Sequence, residues 1–302
     1  MVNSFAMTIR FSVLIPSYER PGYLPGLLAA WSAVEKPLGG HEIVLADDGS
    51  QTSPEDIIRP YFEKMPLRFL RLPHGGVAAT RQAALEEACG EFVLITDDDC
   101  RPSPGLLRAY EEALPHFPGH ALGGPVINLL TNNMYSETTQ AITTYVTEAW
   151  NSSANGPLFF TGSNLLLPRE SLARIGGFDR SWLCRTGEDR DLCRRWAEAG
   201  LKMSTVPAAE MGHAHCLDFR AFLRQHYHYG QGRWWSERRR KADGVGPPAW
   251  SGPGFYFRLL LYPWRRFTIL KAASISCLTA CAQAATAVGV IQAMSASRRE
   301  RF

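Results

Sequence analysis

Three aspartates in succession, Asp97, Asp98 and Asp99, end the apolar run that begins at Phe92. Adjacent carboxylates raise the cost of ionising one another, so the run is unfavourable unless a cation or a hydroxyl-rich ligand joins them. Hard divalent cations such as Mg2+ and Mn2+ take carboxylate, water and phosphate oxygens, which makes an aspartate cluster a natural seat for one. Other reactive groups gather elsewhere. Asp47 and Asp48 open an Asp-Asp-Gly-Ser turn, Glu188, Asp189 and Asp191 crowd the start of an amphipathic stretch, and His213 and His215 precede Cys216. Each has an ordinary structural use. Aspartates favour turns, and acids at a helix start complement its dipole. Cys216 with the two histidines lacks the second Cys pair expected of a zinc site.

The elements that must position these groups alternate. Short apolar runs at 10–16, 41–47, 67–72 and 92–96 suit buried strands. Helical patterns lie between them. Leu24, Leu27, Leu28, Trp31 and Val34 mark one face, Ser53-Pro54 reads as N-cap and first-turn proline of a second helix, and 76–88 is a third. Repeated strand-helix-strand crossovers predict an α/β fold with a mostly parallel central sheet covered by helices on both faces. Ligands of such sheets sit outside the carboxyl ends of the strands. Those ends here carry Pro16-Ser17-Tyr18-Glu19, Asp47-Asp48-Gly49-Ser50, Pro73-His74-Gly75-Gly76 and Thr96 to Cys100. Residues 155–179 read as a strand interrupted by Gly162-Ser163-Asn164, then a short helix ending at Gly176-Gly177. Residues 187–200 read as a helix lined by Leu192, Trp196 and Ala199 and ended by Gly200.

Composition narrows the classes. With 45% hydrophobic and 20% charged residues the chain is globular, and a formal charge of +3 is too small to argue for nucleic acid. Seven cysteines without a CxxC pair fit free thiols, and the first residues lack a long apolar run, so a cytoplasmic location is expected. Basic residues crowd the last quarter, where 272–297 holds no charge at all. A membrane-associating helix over 267–297, a helix packed on the preceding part of the chain and a true span all stay open for that tail.

The segments VLIPSYERP, VLADDGSQT, HGGVAATRQAAL, FVLITDDDC, FTGSNLLLPRESLARIGGFD and GEDRDLCRRWAEAG resemble, in order and spacing, the inverting family 2 glycosyltransferases with the GT-A fold. The likeness covers residues 9 to 230. It implies a catalytic domain over 1–230, with a nucleotide-binding half at about 1–100 and an acceptor half at about 101–230. A helical, basic extension follows at 231–302.

The same resemblance assigns roles. Asp99 would bind Mn2+ or Mg2+, Asp97 would face the ribose, and Asp98 lies between them on the donor nucleotide. Asp48 would read the nucleobase, with Asp47 beside the ribose. Pro16, Ser17, Tyr18 and Glu19 would wrap the nucleoside, and Arg81 would contact the nucleotide. Gln82 stands where the family often has asparagine. Asp189 would be the general base and Glu188 its acceptor-positioning neighbour, with Asp191 the fallback. Gly162, Ser163 and Asn164 would shape the donor-sugar and acceptor pocket. His213 would complete the metal or diphosphate site, with His215 the alternative. The stretch 222–235 resembles the family's mobile acceptor-side segment, and it lacks the QxxRW signature of processive synthases. The implied activity is transfer of one sugar, from a UDP-sugar first, to a hydroxyl acceptor that is lipid-linked or a glycan. The rivals are a sugar-phosphate nucleotidyltransferase, whose glycine-rich triphosphate loop this sequence lacks, and a non-catalytic nucleotide-sugar binder at a membrane.

Overall fold

The computed structural model describes residues 9–152, 156–182, 184–244 and 252–299. Its contacts divide the chain into two units: residues 1–127, 156–183 and 192–214, and residues 128–155, 184–191 and 215–302.

The first unit is built on a seven-stranded sheet. Strands β1 (Phe11–Ser17), β2 (His41–Asp47), β3 (Leu67–Arg71) and β4 (Phe92–Ile95) are parallel and fall where the apolar runs lie. β1 alternates its partners. Phe11, Val13 and Ile15 enter a core with Leu24, Leu27, Leu28 and Trp31 of α1 (Leu24–Ser32) and with Leu106 and Leu107 of α4 (Leu106–Ala113). Helix α3 (Val77–Glu86) packs against β1 and β2. Each fully buried Leu contributes about 1.5–3 kcal/mol, so this layer fixes the strand ends firmly. β8 (Leu165–Pro168) adds antiparallel to β4, and β6 (Ala121–Gly123) then β9 (Met203–Thr205) complete the order β3-β2-β1-β4-β8-β6-β9. A smaller sheet has the order β5 (Cys100–Pro102), β10 (Met211–His213), β7 (Val126–Asn128).

Three local expectations change. Pro54, not Ser53, stands at the N-cap of α2 (Glu55–Ile58), and no side chain caps it. Among the described residues of the segment 155–179, those at 156–161 have no regular structure and β8 starts only at Leu165, followed by α6 (Arg169–Arg174). In α7 (Glu188–Glu198), Leu192 and Trp196 are buried as expected, but Ala199 lies beyond the helix end and is exposed.

The described part of the second unit is helical. Asn133 caps α5 (Met134–Asn151), its side chain accepting from the Tyr135 and Ser136 amides at 3.0 Å each. Asp218 caps α8 (Phe219–Ala242) through the Ala221 amide at 2.7 Å. The helix α8 runs unbroken through residue 230, at which the sequence motifs place the start of an extension. The segment 222–235, expected to be mobile, is therefore regular helix. Helices α9 (Pro253–Leu261) and α10 (Ile269–Arg299) follow. α10 is long and apolar enough to cross a membrane, and it lies along α8. The two cross at glycines. A Cβ on Gly230 would come within 2.0 Å of the Thr286 carbonyl oxygen, and one on Gly289 within 2.0 Å of the Tyr227 carbonyl oxygen.

Candidate active site

Parallel register delivers the polar loops to one edge of the sheet. Ser17 pairs with Asp47, and Asp47 with Arg71, while the Thr96 amide donates to the Leu14 carbonyl, so Asp97 to Asp99 emerge beside the end of β1. Ser17 Oγ donates to Asp98 Oδ2 at 2.9 Å. Arg20, to which the sequence motifs give no role, spans two aspartates: Nη1 donates to Asp98 Oδ1 at 2.7 Å and Nη2 to Asp99 Oδ2 at 2.6 Å. The antiparallel pair β5–β10 sets His213 opposite Cys100, and His213 Nε2 lies 3.1 Å from Asp99 Oδ1. His215, by contrast, belongs to the second unit, where its carbonyl accepts from Ser136 Oγ at 2.6 Å.

Burial and charge split the cluster. Burial pushes the Asp98 carboxyl up to about 7, against the pull of Arg20. Burial also raises Asp99, but His213 and Arg20 together outweigh it and hold that carboxyl well below the usual range. His213 is raised in return, Asp99 overcoming the effect of its burial. Among the described residues, Asp99, Cys100 and His213 form the group whose ligand atoms, all within 4.8 Å of one another, could hold a metal ion. Burial first, then the neighbouring aspartates, drives the Cys100 thiol well above its ordinary range, which disfavours the thiolate in the metal-free site. The remaining carboxylate and imidazole donors suit Mn2+ or Mg2+, and the residues fit the expected ion.

Asp97 sits in a second network. Arg81 Nη2 donates to its Oδ1 at 2.6 Å and Ser163 Oγ to its Oδ2 at 2.8 Å. Arg81 is only 2% exposed and also donates to the Gly162 carbonyl at 3.2 Å. Arg81, expected to contact the nucleotide, is turned inward onto Asp97. Gly162 leaves room for that guanidinium, because a Cβ there would stand 2.6 Å from Arg81 Nη1. Asn164, expected to shape the donor-sugar and acceptor pocket, is buried. Its side chain accepts from the Tyr110 hydroxyl at 2.7 Å and donates to the Ala209 carbonyl at 2.8 Å, deep in the core. Gln82 Oε1 accepts from the Phe178 amide at 2.8 Å, a bracing contact too.

The loops after β1 and β2 meet the loop after β3. Asp48 accepts from the Gly75 and Gly76 amides at 2.8 and 3.0 Å, and His74 Nδ1 lies 2.9 Å from its Oδ2. The Tyr18 ring stacks on His74 with centroids 4.3 Å apart. Pro16 is half-buried at the end of β1. Glu19 holds a φ of +52°, a strained value for a non-glycine residue. Its amide donates to Ser50 Oγ at 2.8 Å and its Oε1 accepts from the Gln51 amide at 2.7 Å. Asp47, expected beside the ribose, is buried and accepts from the Ser50 amide at 3.2 Å, which closes the turn. His74 carries no role in the sequence motifs, although its strand-end loop is legible there.

In the first turn of α7, Asp189 is half-buried and its Oδ1 accepts from the Arg190 amide at 2.8 Å. Glu188 is buried, and Asp191 is almost completely enclosed, which removes it as an accessible fallback base. The Arg190 guanidinium lies 5.1 Å from the Trp150 ring centroid, and burial lowers its basicity despite Asp189. Residues 188–191 group with the second unit and the rest of α7 with the first.

The sequence profile described as glycosyl transferase family group 2 matches residues 92–289. The chain belongs to this family. It is 27% identical over 235 residues to the chondroitin synthase of Escherichia coli, covering 67% of this chain and 34% of that protein. It is 30% identical over 210 residues to the pre-mycofactocin glycosyltransferase of Mycobacterium tuberculosis, covering 64% of this chain and 42% of the relative. The chain thus spans well under half the length of both. Among solved structures, a mannosyltransferase from Pyrobaculum calidifontis in complex with GDP-Man and Mn2+ matches 97% of this chain and 81% of its own, with a TM-score of 0.61 and 21% identity. The glycosyltransferase fold expected from the sequence motifs, GT-A, is the fold observed.

Proposed function

We propose that the chain is an inverting, divalent-metal-dependent glycosyltransferase that moves one sugar from a nucleotide donor, a UDP-sugar first, to a hydroxyl acceptor. The observation that carries this reading is Asp99 held between His213 and Arg20 at the carboxyl edge of the sheet. Asp99, with His213, would hold Mn2+ or Mg2+, which when bound neutralises charge developing on the diphosphate. Asp97, fixed by Arg81 and Ser163, would take the ribose. Ser17 and Asp98 would sit beside it, and Tyr18 and Asp48 would meet the base, with Pro16 and Glu19 shaping their loop.

Asp189 would accept the proton of the acceptor hydroxyl as that oxygen attacks the anomeric carbon. The attack comes from the face opposite the diphosphate, so the configuration inverts as the bond from that carbon to the diphosphate oxygen breaks with its electron pair on the leaving group. Glu188 would position the acceptor. Transfer is of single sugars, consistent with the missing QxxRW spacing. A cytoplasmic location belongs to the same reading.

Hydrolysis and transfer across a panel of nucleotide sugars, with and without Mn2+, tests the proposal. Asp189→Asn is expected to abolish transfer while UDP and Mn2+ binding stay near wild type. Transfer at the wild-type rate by that variant would remove Asp189 as the base.

A further inference from the structure

The turn joining α9 to α10 carries surface that the glycosyl-transfer site does not use. On α9, Phe255 and Leu259 face inward; Leu259 joins a core with Ile142, Phe222 and Ala282. The opposite side is apolar as well. Phe257 is 64% exposed, Leu261 and Trp264 are nearly half exposed, and Ile269 and Leu270 at the start of α10 are 74% and 84% exposed. Phe257 and Leu261 are one helical turn apart on α9, and Trp264 stands exposed in the 3-10 turn that follows. Single exposed apolar residues are ordinary, but five between Phe257 and Leu270 mark a contact surface.

Charge names the partner. From Gly244 to Arg299 the sequence holds no aspartate or glutamate, yet it holds Arg258, Arg265, Arg266, Lys271, Arg298 and Arg299. Arg258 and Arg265 are exposed beside the apolar surface. Arg266 shares Glu148 with the Tyr262 hydroxyl, and Lys271 is paired with Glu137, so those two cations are partly neutralised. A surface of one sign interleaved with aromatic and aliphatic side chains fits anionic headgroups over an acyl layer. Trp264 is suited to that boundary. Its Nε1 donates to Ser276 Oγ at 3.0 Å, and Ser276 Oγ donates onward to the Leu260 carbonyl at 2.8 Å. The indole's single donor is therefore satisfied within the protein, and the ring can enter an apolar layer without losing a hydrogen bond.

The same helices argue against crossing. Gly230 and Gly289 bring α8 and α10 into backbone contact, and α8 carries Arg233, Arg238, Arg239, Arg240 and Lys241. With Arg220 and Arg224 nearer its start, a helix locked to that partner would drag seven cations into hydrocarbon.

We infer that the α9–α10 turn docks flat on an anionic lipid bilayer through Phe257, Leu261, Trp264, Ile269 and Leu270, with Arg258 and Arg265 on the headgroups. This goes beyond the proposed activity and does not depend on it.

Co-sedimentation of the full chain with phosphatidylcholine vesicles, with and without phosphatidylglycerol, tests it. Binding is expected to the phosphatidylglycerol vesicles and to weaken with salt. Phe257→Ser with Trp264→Ser should weaken it by about tenfold or more. Arg258→Gln with Arg265→Gln should weaken only the anionic-vesicle binding. Circular dichroism of both variants should match wild type; melting of the glutamine variant should match it too, while loss of the bond from Trp264 to Ser276 should lower that of the serine variant only slightly. Mn2+ and UDP binding should also be unchanged, so loss of docking and loss of the glycosyltransferase reading are separable. Absence of binding to either vesicle, or undiminished binding by the serine variant, would overturn the inference. So would a concentration-dependent dimer that the serine variant abolishes, because the patch would then face a second copy.

Discussion

Arg20→Met isolates what the guanidinium does between Asp98 and Asp99. Methionine keeps much of the side chain's bulk over the Tyr23 ring, on which the guanidinium sits at 4.3 Å, while removing the charge. The substitution deletes two charge-assisted hydrogen bonds, of 2.7 and 2.6 Å. Bonds of that kind are worth about 1.5–3 kcal/mol each in mutational series. The Arg20 side chain is 38% exposed, so solvent already screens it and the lower part of that range applies. Asp99 keeps His213, and Asp98 keeps Ser17 and can take up a proton instead of standing as an unpaired charge. The metal-free variant should therefore lose about 2–3 kcal/mol of stability in all.

A divalent ion seeks the same oxygens. In the wild type it must displace the guanidinium from Asp99 Oδ2, whereas in the variant it need not. Relief of about 1.4 kcal/mol is tenfold in affinity, so Arg20→Met should bind Mn2+ about tenfold more tightly or better. Its melting temperature should be low in chelator and recover disproportionately with Mn2+. Titration of free Mn2+ by electron paramagnetic resonance, paired with melting in both conditions, reads the two quantities separately. If the variant binds Mn2+ as weakly as wild type, or more weakly, competition between Arg20 and the ion is wrong.

Two further outcomes concern the helical unit. Gly230→Ala should destabilise by about 1–3 kcal/mol in denaturant unfolding, despite alanine's better helix propensity of about 1 kcal/mol, because its Cβ would press on the Thr286 carbonyl. Gly254→Ala, whose Cβ meets nothing nearer than 3.6 Å, should not, and equal behaviour of the two would sink the close-crossing argument. His226, buried against Phe222 and near the Thr139 hydroxyl, is lowered by burial from 6.5 to about 4. The unfolded chain then binds the extra proton between those values. Stability from this group is complete above pH 6.5 and is lost as pH falls toward 4, by about 3 kcal/mol in all. His226→Phe should flatten that part of the stability-against-pH curve, and an unchanged slope would rule out His226 as its source.

What the sequence disclosed follows from how local each signal is. Strands β1 to β4 announce themselves as apolar runs, and their polar ends then fall on one edge by the geometry of parallel sheets. Asp97 to Asp99 drew notice because adjacent carboxylates at such an edge repel unless a ligand joins them, and His213 through the family resemblance alone. Arg20 drew none, although it stands in the loop that follows β1: its role depends on β1 lying beside β4, a pairing that no local pattern states. Arg81 was expected at the nucleotide because nothing in its helix shows that Gly162, far along the chain, opens a slot for it. Asn164 misled for a similar reason, since its partners Tyr110 and Ala209 come from other elements. The second unit was least legible. Its helices meet partly through glycines, where an apolar stripe would have been the visible sign.

The pairing of β5 with β10 has a consequence for the order of synthesis. Asp99 leaves the ribosome 114 residues before His213, an interval of roughly 10 s at ordinary elongation rates. During it the growing chain carries three neighbouring aspartates whose imidazole partner has yet to be made. Arg20, 79 residues ahead of Asp99, is already present. The guanidinium can serve as a provisional counter-charge for the nascent chain, holding the carboxylates until the last strand of the small sheet arrives.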